Sequence, residues 1–269
     1  MCEMDLKKVD ALLHKADTII IAASNGFDIA DGYNQFACDE EFLRIFGDYY
    51  HTYHLRSIIQ GLMARWPTDT ERWHFLKRLI AYGYKDYRPS PTMRALKEII
   101  AQKPYFIITC NCNGHFERSG FSTQALFETE GSFSRLACSR KCSSQTYGAL
   151  DYLDSSEPPR CSQCGAPLDA AVDEINATSL EPYCTQETNL NRFFATHHDE
   201  SVVILELGVG QYNVAIKRPL MKWAQMAPGV NYVVINKDEP ILPTLPADRI
   251  GAVRDDIGAT LHKLAGEMR

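Results

Sequence analysis

Short runs of consecutive apolar residues, many of them β-branched or aromatic, constrain the fold of this chain most strongly. Such unbroken runs are typical of strands that are buried on both faces of a sheet. Helical patterns lie between several of them, notably at 92–102 and 215–226. The alternation predicts an α/β fold, a Rossmann-like doubly wound parallel sheet. The predicted strands lie at 17–23, 105–109, 125–127, 202–207 and 232–236.

Four of the nine cysteines form two pairs with the spacing of metal-binding knuckles. Three residues separate Cys138 from Cys142, and two separate Cys161 from Cys164. Two such pairs place four thiolates around one tetrahedral zinc ion; two disulfides or four free thiols are the alternatives. Neither knuckle contains a histidine or an acidic residue. We therefore predict a structural Zn²⁺ rather than a catalytic one.

The region 39–87 differs in character from the predicted sheet, because it is rich in aromatic residues and has helix-period apolar positions without a strand pattern. Its Trp66 and Trp73 are predicted to pack between helices. With the cysteine segment, this region predicts a smaller domain, made of a helical insert at 36–90 and a zinc-ribbon module at 136–199. The larger, Rossmann-like domain is then discontinuous, at 1–35, 91–135 and 200–269.

The charge and hydropathy of the chain limit its partners. The net charge is −6 and no lysine or arginine block exceeds a few residues, which argues against binding of nucleic acid or anionic lipid. No apolar run is long enough to cross a bilayer, and the first residues lack the apolar region of a secretory signal. We predict a cytoplasmic protein whose partners are proteins or small molecules.

Ligands of open parallel sheets bind at the carboxyl ends of the strands, so the turns after the predicted strands form the candidate site. The first turn is a run of small residues that suits a pyrophosphate, although a plain turn explains it about as well. The second carries two amides, which suit ribose hydroxyls and a carboxamide or only cap the next helix. The third carries a carboxylate, for which a salt bridge to Arg135 is the alternative. With the glycine-rich fourth turn, the residues are Ala22, Ala23, Ser24, Asn25 and Gly26; Asn111 and Asn113; Glu130; and Gly208, Val209 and Gly210.

These turns, with a zinc module after the third, resemble the sirtuins over most of the chain and least in the helical insert. Thr109-Cys110-Asn111-Cys112-Asn113 is similar to the family's threonine, glutamine, asparagine, isoleucine, aspartate motif. The resemblance places Asn111 at the nicotinamide ribose of NAD and Asn113 at the nicotinamide amide. It implies a sirtuin fold, with NAD as substrate.

Further positions match the same family. Ala22-Ala23-Ser24 falls on the family's phosphate loop, and Phe36 is retained in the segment that follows. Asn236, beside Lys237, matches the asparagine at the adenosine ribose. The four cysteines match the family's zinc ribbon.

The departures from the sirtuin pattern indicate a divergent branch. Glu130 stands where most sirtuins have the histidine that acts as general base in deacylation, and segment 32–37 lacks the usual proline, aspartate and arginine. With segments 205–210 and 217–219, these changes resemble the macrodomain-associated (class M) branch, which carries glutamine at the histidine position. That resemblance implies ADP-ribosyl transfer to a protein acceptor, such as a lipoyl-carrier protein, and a macrodomain hydrolase as a partner.

The chemistry of the turns favours transfer or hydrolysis over deacylation. Loss of nicotinamide builds positive charge on the ribose, which Asn111 and Asn113 can assist by orienting the two groups without titrating. Deacylation needs a neutral base, whereas the Glu130 carboxylate can polarise a ribose hydroxyl or stabilise the cationic sugar. We predict these three as the catalytic residues. An NAD glycohydrolase, a deacylase and a silent NAD or ADP-ribose sensor are the alternatives.

Two other features carry less weight. Cys110 and Cys112 are expected to be buried, unreactive thiols, since neither has a base adjacent in sequence. His197 and His198 are expected to lie in a solvated loop rather than in a metal site.

Overall fold

The structure, a computed structural model, describes residues 3–100, 102–173 and 177–267. Within these ranges the α-helices are α1 (Glu3–Lys15), α2 (Asn25–Asp31), α3 (Glu40–Tyr53), α4 (Ile58–Met63), α5 (Asp69–Ile80), α6 (Pro91–Ile100), α7 (His115–Arg118), α8 (Tyr183–Thr196), α9 (Val214–Met226) and α10 (Ile257–Glu267). The strands are β1 (Thr18–Ala23), β2 (Tyr105–Thr109), β3 (Leu126–Glu128), β4 (Gly131–Cys138), β5 (Thr146–Gly148), β6 (Leu168–Val172), β7 (Val202–Leu207), β8 (Val230–Asn236) and β9 (Ile250–Arg254).

The larger sheet has six parallel strands in the order β3-β2-β1-β7-β8-β9. Alternate residues of each strand enter different cores, because successive side chains point to opposite faces. In β1, Ile19 and Ile21 pack with α1, α6 and α10, whereas Ile20 and Ala22 pack with α8 and α9. Helices thus cover both faces of the sheet. The predicted Rossmann-like fold is confirmed.

Two parts of the architecture were missed from the sequence. Strand β9 contains Gly251 and Ala252 between its apolar residues, which weakened its strand pattern. The antiparallel sheet β5-β4-β6 was also missed, because β4 mixes serine and arginine with apolar residues and β5 has only three residues. The predicted helix at 92–102 ends at Ile100, and residue 101 lies outside the described ranges.

A third core joins the helices of region 39–87 to the small sheet. Trp73 is 1% exposed, and Trp66 packs against Phe75 with ring centroids 5.1 Å apart. Phe133 and Leu136 of β4 belong to the same cluster. The two tryptophans therefore pack between helices as predicted. None of the described helices is long and apolar enough to span a membrane.

Candidate active site

The sheet order brings the predicted turns to one edge of the molecule. Strands β2, β1, β7 and β8 are direct neighbours and all run in the same direction, so their carboxyl ends lie side by side. The first turn contacts both of its neighbours: Asn111 donates from Nδ2 to the Ser24 carbonyl at 3.2 Å, and Gly26 donates its N–H to the Gly208 carbonyl at 3.1 Å. The sequence analysis placed the candidate site at these turns because the carboxyl ends of parallel strands share one edge of a sheet.

Gly26 and Gly208 pack backbone against backbone. A Cβ on Gly26 would lie 2.7 Å from the Gly208 Cα, and one on Gly208 would lie 2.4 Å from the Phe27 nitrogen. Gly208 also has a φ of +61°, in the left-handed region that favours glycine. The N–H groups of Ser24 and Gly26 donate to the carbonyls of Leu207 and Gly208, so these two amides hold the first turn against the end of β7.

Asn111 is held by two acceptors that fix the direction of its amide. It is 1% exposed, and its Nδ2 donates to Asp28 Oδ1 at 2.7 Å as well as to the Ser24 carbonyl. Flipping the amide would bring Oδ1 against these two oxygens. Oδ1 is buried and has no hydrogen-bond partner. Because an unpaired buried acceptor costs about 1–3 kcal/mol, the arrangement suits a ligand that donates to Oδ1.

Asp28 was not among the predicted site residues. It lies in α2, is 4% exposed and reaches Asn111 across a sequence separation of 83 residues. Burial raises its pKa well above the ordinary value, the Asn113 amide opposes the rise and Asp31 adds to it. Its location after a small-residue turn was the available signal, but the sequence could not show that α2 lies over the β2 turn.

Asn113 presents the opposite polarity from Asn111. Its Oδ1 accepts the His115 N–H at 3.0 Å, whereas its Nδ2 is buried without a hydrogen bond of regular geometry. His115 is itself anchored, because its Nδ1 lies 2.8 Å from Asp31 Oδ2 and its Nε2 lies 2.9 Å from the Gly83 carbonyl. The expectation that an amide caps the next helix thus holds for the oxygen of Asn113, while its nitrogen is directed toward the Asp28 carboxyl without a hydrogen bond of regular geometry.

Asn213, the residue that caps the start of α9, is a second site residue that the sequence analysis missed. Its Nδ2 lies 3.1 Å from Cys110 Sγ and 3.4 Å from Ser24 Oγ, while its Oδ1 caps α9 by accepting the Ile216 N–H. A buried ion pair between Lys217 of α9 and Glu206 of β7 anchors the helix to the sheet. The available signal was an asparagine directly before a helical pattern.

Burial suppresses the reactivity of the two cysteines in the β2 turn. It raises the pKa of Cys110 to about 11 and that of Cys112 well above its ordinary value, and Glu130 adds to both shifts. The thiolate is the reactive form, so these groups are poor nucleophiles at neutral pH. The Glu130 carbonyl lies 3.8 Å from Cys112 Sγ, so Glu130 adjoins the segment that carries Asn111.

Glu130 follows β3 in a half-buried turn, two residues after a second buried carboxyl, Glu128. Burial raises the pKa of Glu128 to about 8, although Gln186 bonds to its carboxyl and to its backbone N–H. Glu128 is therefore largely protonated at neutral pH.

The remaining predicted residues lie around this centre. Asn236 donates from Nδ2 to the Val209 carbonyl at 3.2 Å, which joins the turns after β7 and β8. Phe36 is 48% exposed, in a loop that Gln35 ties to Asn25 by a 3.2 Å hydrogen bond. Lys237 is exposed. The structure thus groups the first, second and fourth turns tightly and leaves Phe36 and Lys237 at the periphery.

The four predicted cysteines come together at the end of β4. Their sulfur atoms all lie within 4.8 Å of one another, with Cys138 and Cys164 3.4 Å apart and Cys142 and Cys161 3.5 Å apart. A tetrahedral zinc with bonds of about 2.3 Å requires sulfur separations of about 3.8 Å. The cluster fits Zn²⁺. His197 lies elsewhere, 2.8 Å from Glu200.

Backbone geometry also prepares these sulfurs for metal. Each knuckle turns through a residue with positive φ, Lys141 at +51° and Gly165 at +71°. The N–H groups of Cys164 and Gln163 lower the pKa of Cys161 to about 6. Hydrogen bonding among the close sulfurs raises the pKa of Cys142 to about 12. A zinc ion replaces the protons that such a cluster shares.

Comparison with solved structures identifies the fold. A complex of a Sir2 homologue with NAD superposes with a TM-score of 0.64 at 16% identity, covering 98% of this chain and 93% of that chain. A Sir2 homologue variant bound to 2′-O-acetyl ADP-ribose gives a TM-score of 0.63 at 17% identity, covering 100% of this chain and 97% of that chain. The chain therefore has the Sir2 fold. The predicted resemblance to the sirtuins is confirmed.

Sequence comparison adds two relatives, although no family model matches the chain. A protein ADP-ribosyltransferase of Staphylococcus aureus (strain Mu50 / ATCC 700699) is 25% identical over 264 residues, covering 93% of this chain and 83% of that protein. A probable bifunctional ADP-ribose hydrolase/ADP-ribosyltransferase of Fusarium oxysporum f. sp. cubense is 24% identical over 228 residues. The match covers 77% of this chain and only 38% of the fungal protein. The macrodomain-associated branch stays a prediction.

Proposed function

We propose that this chain is an NAD-dependent protein ADP-ribosyltransferase, which releases nicotinamide and transfers ADP-ribose to a side chain of an acceptor protein. The fold is that of Sir2 proteins, one of which is solved with NAD. The relative that matches 93% of the chain is a protein ADP-ribosyltransferase. Both comparisons support NAD chemistry at the strand ends.

The buried, unpartnered Oδ1 of Asn111 is the observation that carries the proposal. A ribose hydroxyl is a donor of the right kind for this oxygen, and Asp28 with the Ser24 carbonyl holds the amide in the accepting orientation. Preorganised groups stabilise a transition state without reorganising during the reaction. Asn111 would thus orient the nicotinamide ribose while the bond to nicotinamide breaks.

The neighbouring turns hold the rest of NAD in this proposal. The pyrophosphate lies over the small residues 22–26, and the adenosine ribose lies near Asn236, beside the turn of Gly208, Val209 and Gly210. Phe36 and Lys237 are proposed to approach from the periphery. The four cysteines hold zinc as a structural element that supports the β4 end of the fold.

Glu130 is proposed as the group that meets the reacting ribose. The 3.8 Å contact of its carbonyl with Cys112 Sγ supports a location beside the Asn111 segment. A carboxylate there can stabilise positive charge on the sugar or take the proton of an incoming nucleophile.

We propose a lipoyl-carrier protein as the acceptor and a macrodomain hydrolase as the partner that reverses the modification. The fungal relative supports the second point, because its description pairs ADP-ribose hydrolase with ADP-ribosyltransferase activity in one protein. Such a pairing makes the modification reversible.

The test combines the purified protein with NAD, with and without a purified lipoyl-carrier protein, and follows free nicotinamide together with the mass of the carrier. We expect nicotinamide release that depends on the carrier, and one added ADP-ribose on it. Release at the same rate without any protein acceptor would show a glycohydrolase instead. Binding of NAD without release would show a sensor.

A further inference from the structure

The turn after β2 carries two side-chain amides, and the fold fixes them in opposite orientations. Asn111 presents an acceptor, and Asn113 presents a donor, because Asn113 Oδ1 is already engaged by the His115 N–H at 3.0 Å. Reversing the Asn113 amide would set its nitrogen against that N–H donor. Asn113 is 2% exposed, and its Nδ2 makes no hydrogen bond of regular geometry. A ligand group beside it must therefore supply an acceptor.

The turn that carries Asn113 is rigid. Gly114 has a φ of +69°, and a Cβ at this position would lie 2.8 Å from the Tyr84 ring. His115 is fixed on both ring nitrogens by Asp31 and the Gly83 carbonyl, and the Tyr87 ring stacks on it with centroids 3.6 Å apart. The Asn113 side chain is therefore held with its donor direction set by the fold.

We propose that Asn113 makes the pyridine pocket accept a carboxylate as well as a carboxamide, so that nicotinic acid adenine dinucleotide is a second substrate of this site. The inference rests on the proposed function, with the nicotinamide ribose at Asn111 and the pyridine ring extending toward Asn113, two residues further along the same turn. A carboxamide has a donor and an acceptor, whereas a carboxylate has acceptors alone. The Nδ2 donor pairs with either group. A carboxylate side chain at position 113 would pair with the carboxamide and repel nicotinate.

The charged groups around Asn113 permit this tolerance. Asp28 lies close enough for the Asn113 amide to lower its pKa, but burial dominates and raises that pKa well above the ordinary value, which favours the neutral acid. Asp31 is paired with His115. The Glu130 carboxyl contributes to the raised pKa values of Cys110 and Cys112. A negative charge on it would repel an anionic pyridine ring. We therefore expect tolerance of nicotinate rather than preference for it.

The reaction is the same for both dinucleotides. The bond between the ribose C1′ and the pyridine nitrogen breaks, and its electron pair stays on that nitrogen. A nucleophile of the acceptor protein forms the new bond to C1′ and loses its proton to a base or to water. Nicotinic acid leaves in place of nicotinamide, and no oxidant or reductant is required.

The experiment compares kcat/KM for NAD and for nicotinic acid adenine dinucleotide, measured as released base, in the wild type and in Asn113→Asp. We expect the wild type to use the two dinucleotides within about tenfold of each other. Asn113→Asp keeps the oxygen that accepts the His115 N–H, and it should lower use of the nicotinate form by about 30-fold or more relative to NAD. Asn189→Asp, a matched change on α8 whose amide donates to Gln124, is the control and should leave the ratio unchanged.

Two results would overturn the inference: a wild type that uses NAD but rejects the nicotinate form by more than about 100-fold, or a ratio that Asn113→Asp does not change. The wild-type ratio decides alone if the variant fails to fold. If the wild type cleaves neither dinucleotide, the proposed function has failed separately. In that case the affinities of the wild type and of Asn113→Asp for the two dinucleotides are measured by calorimetry. The same two ratios then decide the inference.

Discussion

Replacing Asp28 by leucine should separate activity from stability. The substitution removes the acceptor that lies 2.7 Å from Asn111 Nδ2 and leaves the Ser24 carbonyl, at 3.2 Å, as the sole partner. Losing a hydrogen bond to a buried group costs about 1–3 kcal/mol. If this energy orients Asn111 in the transition state, nicotinamide release should fall by about 5- to 150-fold in kcat/KM. Asp28→Asn keeps an acceptor oxygen and should lose less than about tenfold.

The same substitution, Asp28→Leu, should leave the thermal stability unchanged or raise it. The native fold raises the pKa of Asp28 through burial, so the native state holds the proton more tightly than the unfolded chain does. A group of this kind destabilises the fold increasingly as the pH rises above the ordinary aspartate value of about 3.9. Asp28→Leu should therefore match or exceed the wild-type melting temperature at pH 7. The same protein samples serve for nicotinamide release with the acceptor protein and for thermal unfolding. Release within about twofold of the wild type, together with a lower melting temperature, would refute the reasoning, since Asp28 would then serve only the fold.

Other substitutions test the remaining parts of the site. Asn111→Ala should abolish nicotinamide release while retaining much of the NAD affinity measured by calorimetry, because different turns hold the two ends of NAD; equal loss of both would show that Asn111 only shapes the fold. Glu130→Gln should keep NAD binding and lower transfer by about 10²- to 10⁴-fold, and unchanged transfer would make the carboxylate dispensable. Metal analysis should find about one zinc per chain, and Cys161→Ala should misfold; a folded, metal-free wild type would contradict this. Glu128→Gln should stabilise the fold more at pH 9 than at pH 6 in chemical unfolding, because the native pKa of about 8 leaves a buried carboxylate only at the higher pH.

The sequence predicted the parts of the fold in which one residue pattern has one structural meaning. The unbroken run of β1 is typical of a strand buried on both faces, and the cysteine spacing is typical of a four-sulfur zinc site. Strand β9 was not predicted, because Gly251 and Ala252 interrupt its apolar pattern. Its pairing with β8 makes it a strand in the folded protein. Propensity is a weak guide where neighbouring strands decide.

The same distinction applies to the site. The candidate turns could be predicted, because the carboxyl ends of parallel strands lie at one edge of the sheet. The contacts of Asp28 and Asn213 were not, since they join residues 83 and 103 positions apart through helices whose placement depends on the packed cores. The orientations of the Asn111 and Asn113 amides could not be predicted either, because they depend on hydrogen-bond partners that only the folded structure shows.

The contact between Gly26 and Gly208 restricts the evolutionary history open to this cleft. A methyl group at either position meets main-chain atoms, at 2.7 Å in one case and 2.4 Å in the other, so a flexible side chain cannot move aside to admit it. A compensating change at the partner position has nothing left to remove, because the partner is already glycine. Any single substitution at either position therefore displaces the backbone, so we expect sequence variation among descendants of this chain to occur outside the pair.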